Sequence, residues 1–236
     1  EAFTSDPAFI KSILFTLKYV VVMVLAQNLL ALTLAVLIET LRKAKTAFRT
    51  IFFMPNMISM IIGGFMWLFI FTKVIPFLAE VSGSALLNMD WIGDPQYSFF
   101  SIVILSLWGQ AGYLMVIYIA ALQGVPKQLL EAAEIDGASA WQQLFKVTLP
   151  TILPAITICI FISLNTSFKV FEAVYALTGG GPGRATQVIA LNIFEEAFNM
   201  NDRFGYASAK AIILFFIVFV ITLIQLRVMN RGDKKR

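Results

Sequence analysis

The chain has 236 residues, of which 59% are hydrophobic and 14% are charged, with a net charge of +4. Soluble domains contain about 45–50% apolar and about 25% charged residues, so this composition excludes an ordinary water-soluble globular protein. The absence of histidine and the single cysteine exclude imidazole bases, histidine metal sites, internal disulfides and cysteine-rich zinc sites. The composition predicts a polytopic membrane protein.

Five stretches of the chain are long and apolar enough to cross a bilayer, since a membrane helix needs about 20 mostly apolar residues. They predict an all-α fold in which residues 1–236 form a single transmembrane domain. The predicted spans cover residues 13–38, 50–72, 97–122, 152–177 and 206–226.

The basic residues predict the orientation. The loops 39–49 and 123–151 and the C-terminal tail carry 11 of the 18 Lys and Arg residues, and the alternating loops carry four. By the positive-inside rule, the first set, including the C-terminus, is cytoplasmic. Five spans then place the N-terminus outside. Because the sequence opens without a signal-like segment, we expect a further span to precede it.

The loop 123–151 is predicted to hold two helices. Pro126 suits the first position of a helix, and Gly137 is expected to end that helix in a left-handed conformation. Ser139 and Gln142 form an S-x-x-Q capping box, which predicts a second helix through about residue 147, ended by Pro150. The two helices would project into the cytoplasm.

The first of these helices is acidic, with Glu131, Glu134 and Asp136. A helix that lies on anionic headgroups usually carries Lys and Arg on its polar face. An interfacial helix pair stays an alternative, but the acidic residues favour a protein partner with basic groups.

The same segment carries a long motif. Glu131-Ala132-Ala133 is followed by Gly137, four residues after the last alanine, and by Leu149-Pro150, twelve residues beyond that glycine. This pattern resembles the EAA loop of permease subunits in binding-protein-dependent ATP-binding-cassette importers. Four further segments resemble the branch that takes up maltodextrins, other oligosaccharides and glycerol 3-phosphate: Phe48-Arg49-Thr50 with Met54-Pro55, Trp91-Ile92 with Asp94-Pro95, Leu177 to Pro182, and Phe204 to Ala209.

The resemblance implies a six-span core whose first span is missing from this sequence, with an EAA loop that docks into a cytoplasmic ATPase. Its coupling residues would be Glu131, Ala132, Ala133, Asp136 and Gly137. The implied partners are a second homologous permease, two ATPase subunits, an extracellular or periplasmic solute-binding protein, a carbohydrate substrate and the lipid bilayer, without nucleic acid. The implied location is the cytoplasmic membrane of a bacterium or archaeon.

Nucleotide chemistry is not expected in this chain. A Walker A pattern, G-x-x-x-x-G-K-[ST], is absent from the sequence, so the phosphate cradle that this motif builds is missing. ATP and Mg²⁺ would be bound by the ATPase partner, and no cofactor and no metal site are expected here. We therefore expect a transporter subunit and not an enzyme.

The fourth predicted span contains a polar stripe. Asn165, Phe168, Lys169 and Glu172 stand at i, i+3, i+4 and i+7, which places them on one face of a continuous helix. Ionisable groups inside a span are candidates for a transport pathway, and a polar stripe with one aromatic ring suits a sugar. An intramembrane ion pair, or snorkelling to the outer interface, is the alternative.

The third predicted span offers Gly109, Gln110 and Tyr113. These residues either line the same pathway, as the resemblance implies, or the glycine permits close helix packing. Other polar residues in the first two spans are predicted to make interhelical or interfacial contacts and not to bind substrate: Lys18, Gln27, Asn28 and Asn56.

Two other classes of function fit the sequence less well. An ion- or proton-coupled secondary transporter usually shows a midplane ion site and two repeats, and Lys169 with Glu172 is its only candidate relay here. An intramembrane enzyme would need a nucleophile and a base, and no such set is visible in the sequence. The sequence favours the ATP-driven permease.

Overall fold

The computed structural model describes residues 6–41, 43–83, 89–199 and 203–233. Within these ranges the secondary structure is helical and contains no strand, which confirms the all-α fold. The helices are α1 (Pro7–Thr40), α2 (Lys45–Phe53), α3 (Met60–Ser82), α4 (Pro95–Gln123), α5 (Lys127–Ile135), α6 (Ala140–Thr151), α7 (Leu153–Phe168), α8 (Glu172–Leu177), α9 (Ile189–Phe198) and α10 (Phe204–Asp233). The basic tail residues 234–236, which support the predicted orientation, lie outside the described residues.

The described residues contain four or five candidate spans. Helices α1, α3, α4 and α10 are each long and apolar enough to cross a membrane, and α6 with α7 forms a fifth candidate that is bent by 71°. The predicted stretches 13–38, 97–122 and 206–226 lie within α1, α4 and α10. The chain is therefore a multi-pass membrane protein.

The second span lies ten residues further along the chain than the predicted range 50–72, because the helix is interrupted near Pro55. Helix α2 ends at Phe53, a 3₁₀ turn covers Met54–Met57, and Ile58 is extended with ψ of 133°. A proline has no N–H for the helical ladder and its ring clashes with the preceding turn. The apolar helix that crosses the bundle begins after this break, as α3.

The fourth span differs from the predicted range 152–177 at both ends. The chain bends at Ile152, which has φ of −90° and ψ of 10°, next to Pro154, which cannot donate to the helical ladder. Helix α7 then ends at Phe168, and α8 begins only at Glu172. In the last turn of α7, Thr166 Oγ1 donates to the carbonyl oxygen of Ile162, a side-chain contact that competes with regular helix.

Helix α1 is the centre of the bundle and packs against α4 and α7. Its buried Ala31 and Ala35 allow the close approach that small residues provide between membrane helices. Asn28 links all three helices, because its Nδ2 donates to Ser163 Oγ over 2.8 Å and its Oδ1 accepts from the Tyr118 hydroxyl over 2.7 Å. The prediction of an interhelical contact is confirmed for Asn28.

The bundle has two distinct ends. Helices α5 and α6 follow the C-terminal end of α4 and precede α7, so they define one end, which we call the coupling end. The C-terminal end of α7, together with α8, α9 and the start of α10, lies at the opposite, distal end. There the Ile189 N–H of α9 donates to Thr16 Oγ1 of α1 over 3.0 Å, which fixes α9 against the bundle.

Candidate functional site

A cavity of about 360 Å³ opens between α1, α4, α7 and the two breaks in the predicted spans. It takes residues from α1, from the 3₁₀ turn before α3, from α4, and from the segment that joins α7 to α8. Its lining consists of Gln27, Asn56, Met60, Gln110, Tyr113, Ile162, Thr166, Lys169, Val170, Phe171, Glu172 and Ala173. This mixture of amides, charges, hydroxyls and aromatic rings is typical of a ligand site.

Four of the predicted pathway residues line this cavity: Gln110 and Tyr113 on α4, Lys169 in the break, and Glu172 at the start of α8. Lys169 and Glu172 form no ion pair within 4.0 Å, either with each other or with another residue of the described ranges. The described residues therefore do not contain the alternative, an intramembrane ion pair between Lys169 and Glu172. Both charged groups are available to a ligand.

The predicted single helical face does not form, because α7 ends at Phe168. The Phe168 side chain is 2% exposed and packs in the interior. Asn165 also lies outside the lining, and its Nδ2 donates to the carbonyl oxygen of Phe161 over 3.0 Å. The break after Phe168 turns Lys169 and Glu172 toward the cavity and leaves Phe168 in the core.

Gly109 lies outside the lining as well. A Cβ at this position would come within 2.7 Å of Met60 Cε, so the residue gives room to a neighbouring side chain. The structure therefore favours close packing as the reason for a glycine at this position.

Gln27 and Asn56 were predicted to make interhelical or interfacial contacts, and the structure places both in the lining of the cavity. Gln27 is 2% exposed, and its Oε1 atom has no hydrogen-bond partner among the described residues. A buried acceptor without a partner costs about 1–3 kcal/mol, which a ligand hydroxyl would offset. In the sequence, Gln27 is visible as an amide within an apolar run. The 3₁₀ turn that brings Asn56 to the cavity cannot be read from the sequence.

The coupling end has the geometry that the motif predicts. Helix α5 ends at Ile135, and Gly137, two residues further on, has φ of +76°. The Ala138 N–H donates to the carbonyl oxygen of Ala133 over 2.9 Å, and the Gly137 N–H donates to that of Glu134 over 3.0 Å. These two bonds form a Schellman motif. The predicted capping box between Ser139 and Gln142 is present.

The second helix runs longer than predicted. Helix α6 continues through a π-helical turn at Leu144–Thr148 and past Pro150 as far as Thr151. The expectation that it ends near residue 147, at Pro150, was wrong. The end is set by the bend at Ile152, where α7 begins.

The surface of α5 and α6 is exposed and amphipathic. Glu131, Ala132, Asp136 and Gly137 are exposed, and Ala133 is half-buried. Apolar side chains lie beside them, with Ile135 87% and Trp141 70% exposed, and the Trp141 ring stacks on Phe145 at 5.9 Å. An exposed apolar patch next to carboxylates is typical of a protein-docking surface.

A second polar centre, which the sequence analysis did not identify, surrounds Lys210 on α10. Lys210 is fully buried, and its Nζ lies 2.7 Å from Asp6 Oδ2, 2.9 Å from Glu196 Oε2 and 2.9 Å from Asn192 Oδ1. Burial raises the pKa of Asp6, but the bonds from Lys210 and from the Phe9 N–H outweigh burial and hold the pKa below its ordinary value. The network ties the start of α1 to α9 and α10.

Comparison with known proteins identifies the family. A family model described as binding-protein-dependent transport system inner membrane component matches residues 27–232. The chain belongs to this family. It is the membrane-spanning permease subunit of an ATP-driven importer and not an enzyme, and family membership favours this function over an ion- or proton-coupled transporter.

Relatives of this permease have names that refer to sugars. It is 40% identical over 228 residues to a probable starch degradation products transport system permease protein of Thermoanaerobacterium thermosulfurigenes, covering 97% of this chain and 77% of the relative. It is 31% identical to the trehalose/maltose transport system permease protein of Thermococcus litoralis, covering 90% and 72%. A solved bacterial transporter that imports the acidic polysaccharide alginate has the same fold, with a TM-score of 0.87, 24% identity, and coverage of 96% of this chain and 80% of that chain.

Proposed function

We propose that this permease forms half of the translocation pathway for an uncharged oligosaccharide or related polyol. A second homologous permease would supply the other half, an external solute-binding protein would deliver the substrate, and two cytoplasmic ATPases would bind ATP and Mg²⁺. The complex would lie in the cytoplasmic membrane of a bacterium or archaeon, with the C-terminus in the cytoplasm. The starch and maltose relatives support the substrate class.

The observation that carries this proposal is the cavity around Gln27. Its amides, Gln27, Asn56 and Gln110, each have groups that donate and accept hydrogen bonds, as hydroxyl-rich substrates require. Its charged residues, Lys169 and Glu172, have opposite signs. Because the two charges balance, the lining favours an uncharged sugar over a phosphate or a uronic acid, which needs an excess of positive groups.

The Gln27→Leu variant tests this cavity. Leucine removes the unpartnered Oε1 acceptor and replaces the amide with a slightly shorter apolar side chain. We expect the Kd of the purified transporter for its sugar, measured by isothermal titration without the binding protein, to rise about three- to ten-fold. This is the effect of one neutral hydrogen bond.

The control for this experiment is Thr33→Val, also on α1. The Thr33 hydroxyl donates to the carbonyl oxygen of Leu29 in the same helix, and the residue lies outside the cavity lining. Sugar binding should stay unchanged in the control. Equal affinity of Gln27→Leu and the wild type for every sugar bound would remove Gln27 from the pathway.

We further propose that Glu131, Ala132, Ala133, Asp136 and Gly137 transmit ATPase closure to the bundle. The carboxylates would pair with basic groups of the ATPase, and the small alanines would allow a close approach. Gly137 holds the left-handed turn that presents α5 at a fixed angle to α6. The exposure of this segment supports the assignment.

The double variant Glu131→Ala with Gly137→Val tests the coupling assignment. Valine is strained at a φ of +76°, since left-handed backbone costs about 1–2 kcal/mol for residues with a Cβ. We expect ATP-driven uptake in proteoliposomes to fall at least about ten-fold, the equivalent of 1.4 kcal/mol, while the protein still inserts into membranes.

Gly83→Val is the matched control for the coupling variant. Gly83 is also left-handed, with φ of +64°, but it ends α3 and has open space around it. This control carries the same type of strain away from the coupling end and should retain uptake. Full transport by the double variant would refute the coupling role of Glu131 and Gly137.

A further inference from the structure

Five aromatic side chains form a continuous row of ring contacts at the distal end. Adjacent ring centroids lie between 5.1 and 5.8 Å apart. The rings come from the break before α8, from α8, from α9 and from the start of α10, so the row exists only in the folded bundle. We call Phe171, Tyr175, Phe194, Phe198 and Phe204 the aromatic row.

The aromatic row connects the cavity to the surface. Phe171 is part of the cavity lining, and its ring contacts both Tyr175 and Phe194. At the other end, Phe198 is 64% and Phe204 is 50% exposed. Single exposed aromatic residues are ordinary on a protein surface, but a connected set of them marks an interaction site.

Charged groups lie at the same end of the bundle, on α9 and just before α10. Glu195 follows Phe194 in the sequence and accepts a hydrogen bond from Gln187 Nε2 over 2.6 Å. Arg203 precedes Phe204 in the sequence and pairs with Glu196 over 2.7 Å. An end of the bundle that carries two carboxylates and a guanidinium does not lie among lipid tails, because burying charged groups in lipid is costly.

We propose that the aromatic row is a binding track for the sugar rings of an oligosaccharide, extending from the distal surface into the cavity. The inference rests on the proposed function, and it adds that this permease favours linear chains over single sugars. The C–H groups on the flat face of a pyranose carry partial positive charge, which the negative face of an aromatic ring attracts. Ring stacking has no fixed register along a chain, so successive sugar units can move from one aromatic ring to the next.

Two other occupants would have a different arrangement. A lipid-facing aromatic belt is rich in Trp and Tyr and surrounds the protein at headgroup depth, whereas this row contains four Phe residues and one Tyr and leads into a polar cavity. If the rings contacted the second permease, the two permeases would need the rings to assemble, and size-exclusion chromatography of the variants measures this assembly.

The test compares uptake of short and long sugar chains by the complete transporter in proteoliposomes with its own binding protein. The probes are the disaccharide and the pentasaccharide of a linear series that the wild type imports, chosen from α-1,4-linked glucose, β-1,4-linked glucose and β-1,4-linked xylose. Tyr175→Ala and Phe198→Ala should each reduce pentasaccharide uptake about five-fold. Since 1.4 kcal/mol corresponds to a factor of ten, this equals ~1 kcal/mol, the size of one aromatic stacking contact. Disaccharide uptake should stay at the wild-type rate.

Phe77→Ala is the matched control, because Phe77 is 62% exposed on α3 and lies outside the row. Equal loss of uptake for both chain lengths, or no loss for either, would overturn the track. Dissociation of the variants from the second permease in size-exclusion chromatography would also overturn it, since the rings would then be an assembly contact. A wild-type transporter that imports no sugar of any series would contradict the proposed function, which is a separate outcome.

Discussion

Replacing Gly112 with valine is expected to prevent the permease from folding. Gly112 lies on α4 where the end of α2 crosses it. A Cβ at this position would collide with the Phe52 carbonyl oxygen and would lie 2.8 Å from the Phe52 carbonyl carbon and 2.9 Å from Phe53 Cα. These are backbone atoms and cannot rotate away as a side chain does. The cost should therefore exceed the ~1–3 kcal/mol that overpacking of side chains usually causes.

The measurement is the yield of monodisperse protein after extraction in detergent, together with its thermal midpoint. The control is Gly205→Val at the start of α10, where nothing lies within 4 Å of the added Cβ. Gly112→Ala should give an intermediate result, because alanine adds the Cβ without its branches. Normal yield and wild-type melting of Gly112→Val would show that α2 does not contact α4 as described.

Replacing Lys210 with methionine is expected to give the second large effect, a loss of about 3–5 kcal/mol in stability. That is the usual result when one partner of a buried ion pair is removed. Methionine has a similar length but leaves the carboxylates of Asp6 and Glu196 without the ammonium group that lies 2.7 and 2.9 Å from them. The loss would appear as a large fall in the thermal midpoint.

Lys11→Met is the control for this prediction, since Lys11 is an exposed lysine on α1 and its loss should change the midpoint little. Adding Asp6→Asn and Glu196→Gln to Lys210→Met should restore part of the stability, because the two carboxylates that Lys210 neutralised are then uncharged. If Lys210→Met melts with the wild type, the network does not hold α10 in place.

The sequence predicted the parts of this structure that depend on local chemistry. The turn at Gly137 and the capping box at Ser139 follow from residue types that satisfy helix ends over a few neighbouring positions. The apolar runs within α1, α4 and α10 are likewise readable, because a membrane helix needs about 20 mostly apolar residues in a row.

The sequence could not predict features that depend on contacts between distant elements. Pro55 marks an interruption of the second apolar stretch but not where the spanning helix begins. The apolar run after Phe168 looks the same whether its helix continues or breaks, so that break was missed, together with the cavity. The place of Gln27 and Asn56 in one lining was not predicted for the same reason, because Asn56 reaches the cavity through the 3₁₀ turn. The partners of Lys210 lie on other helices, and nothing near it in the sequence indicates them.

The buried Lys210 network has a consequence for how the chain is assembled in the membrane. Helix α10 is apolar enough to cross a membrane, yet its seventh residue is a lysine, and a charged side chain inside a span disfavours membrane insertion. The carboxylates that neutralise this lysine belong to α9 and to the residue that precedes α1, both synthesised earlier. Helix α10 therefore reaches its stable position only when it docks onto α1 and α9. This docking is a late step in the assembly of the described helices.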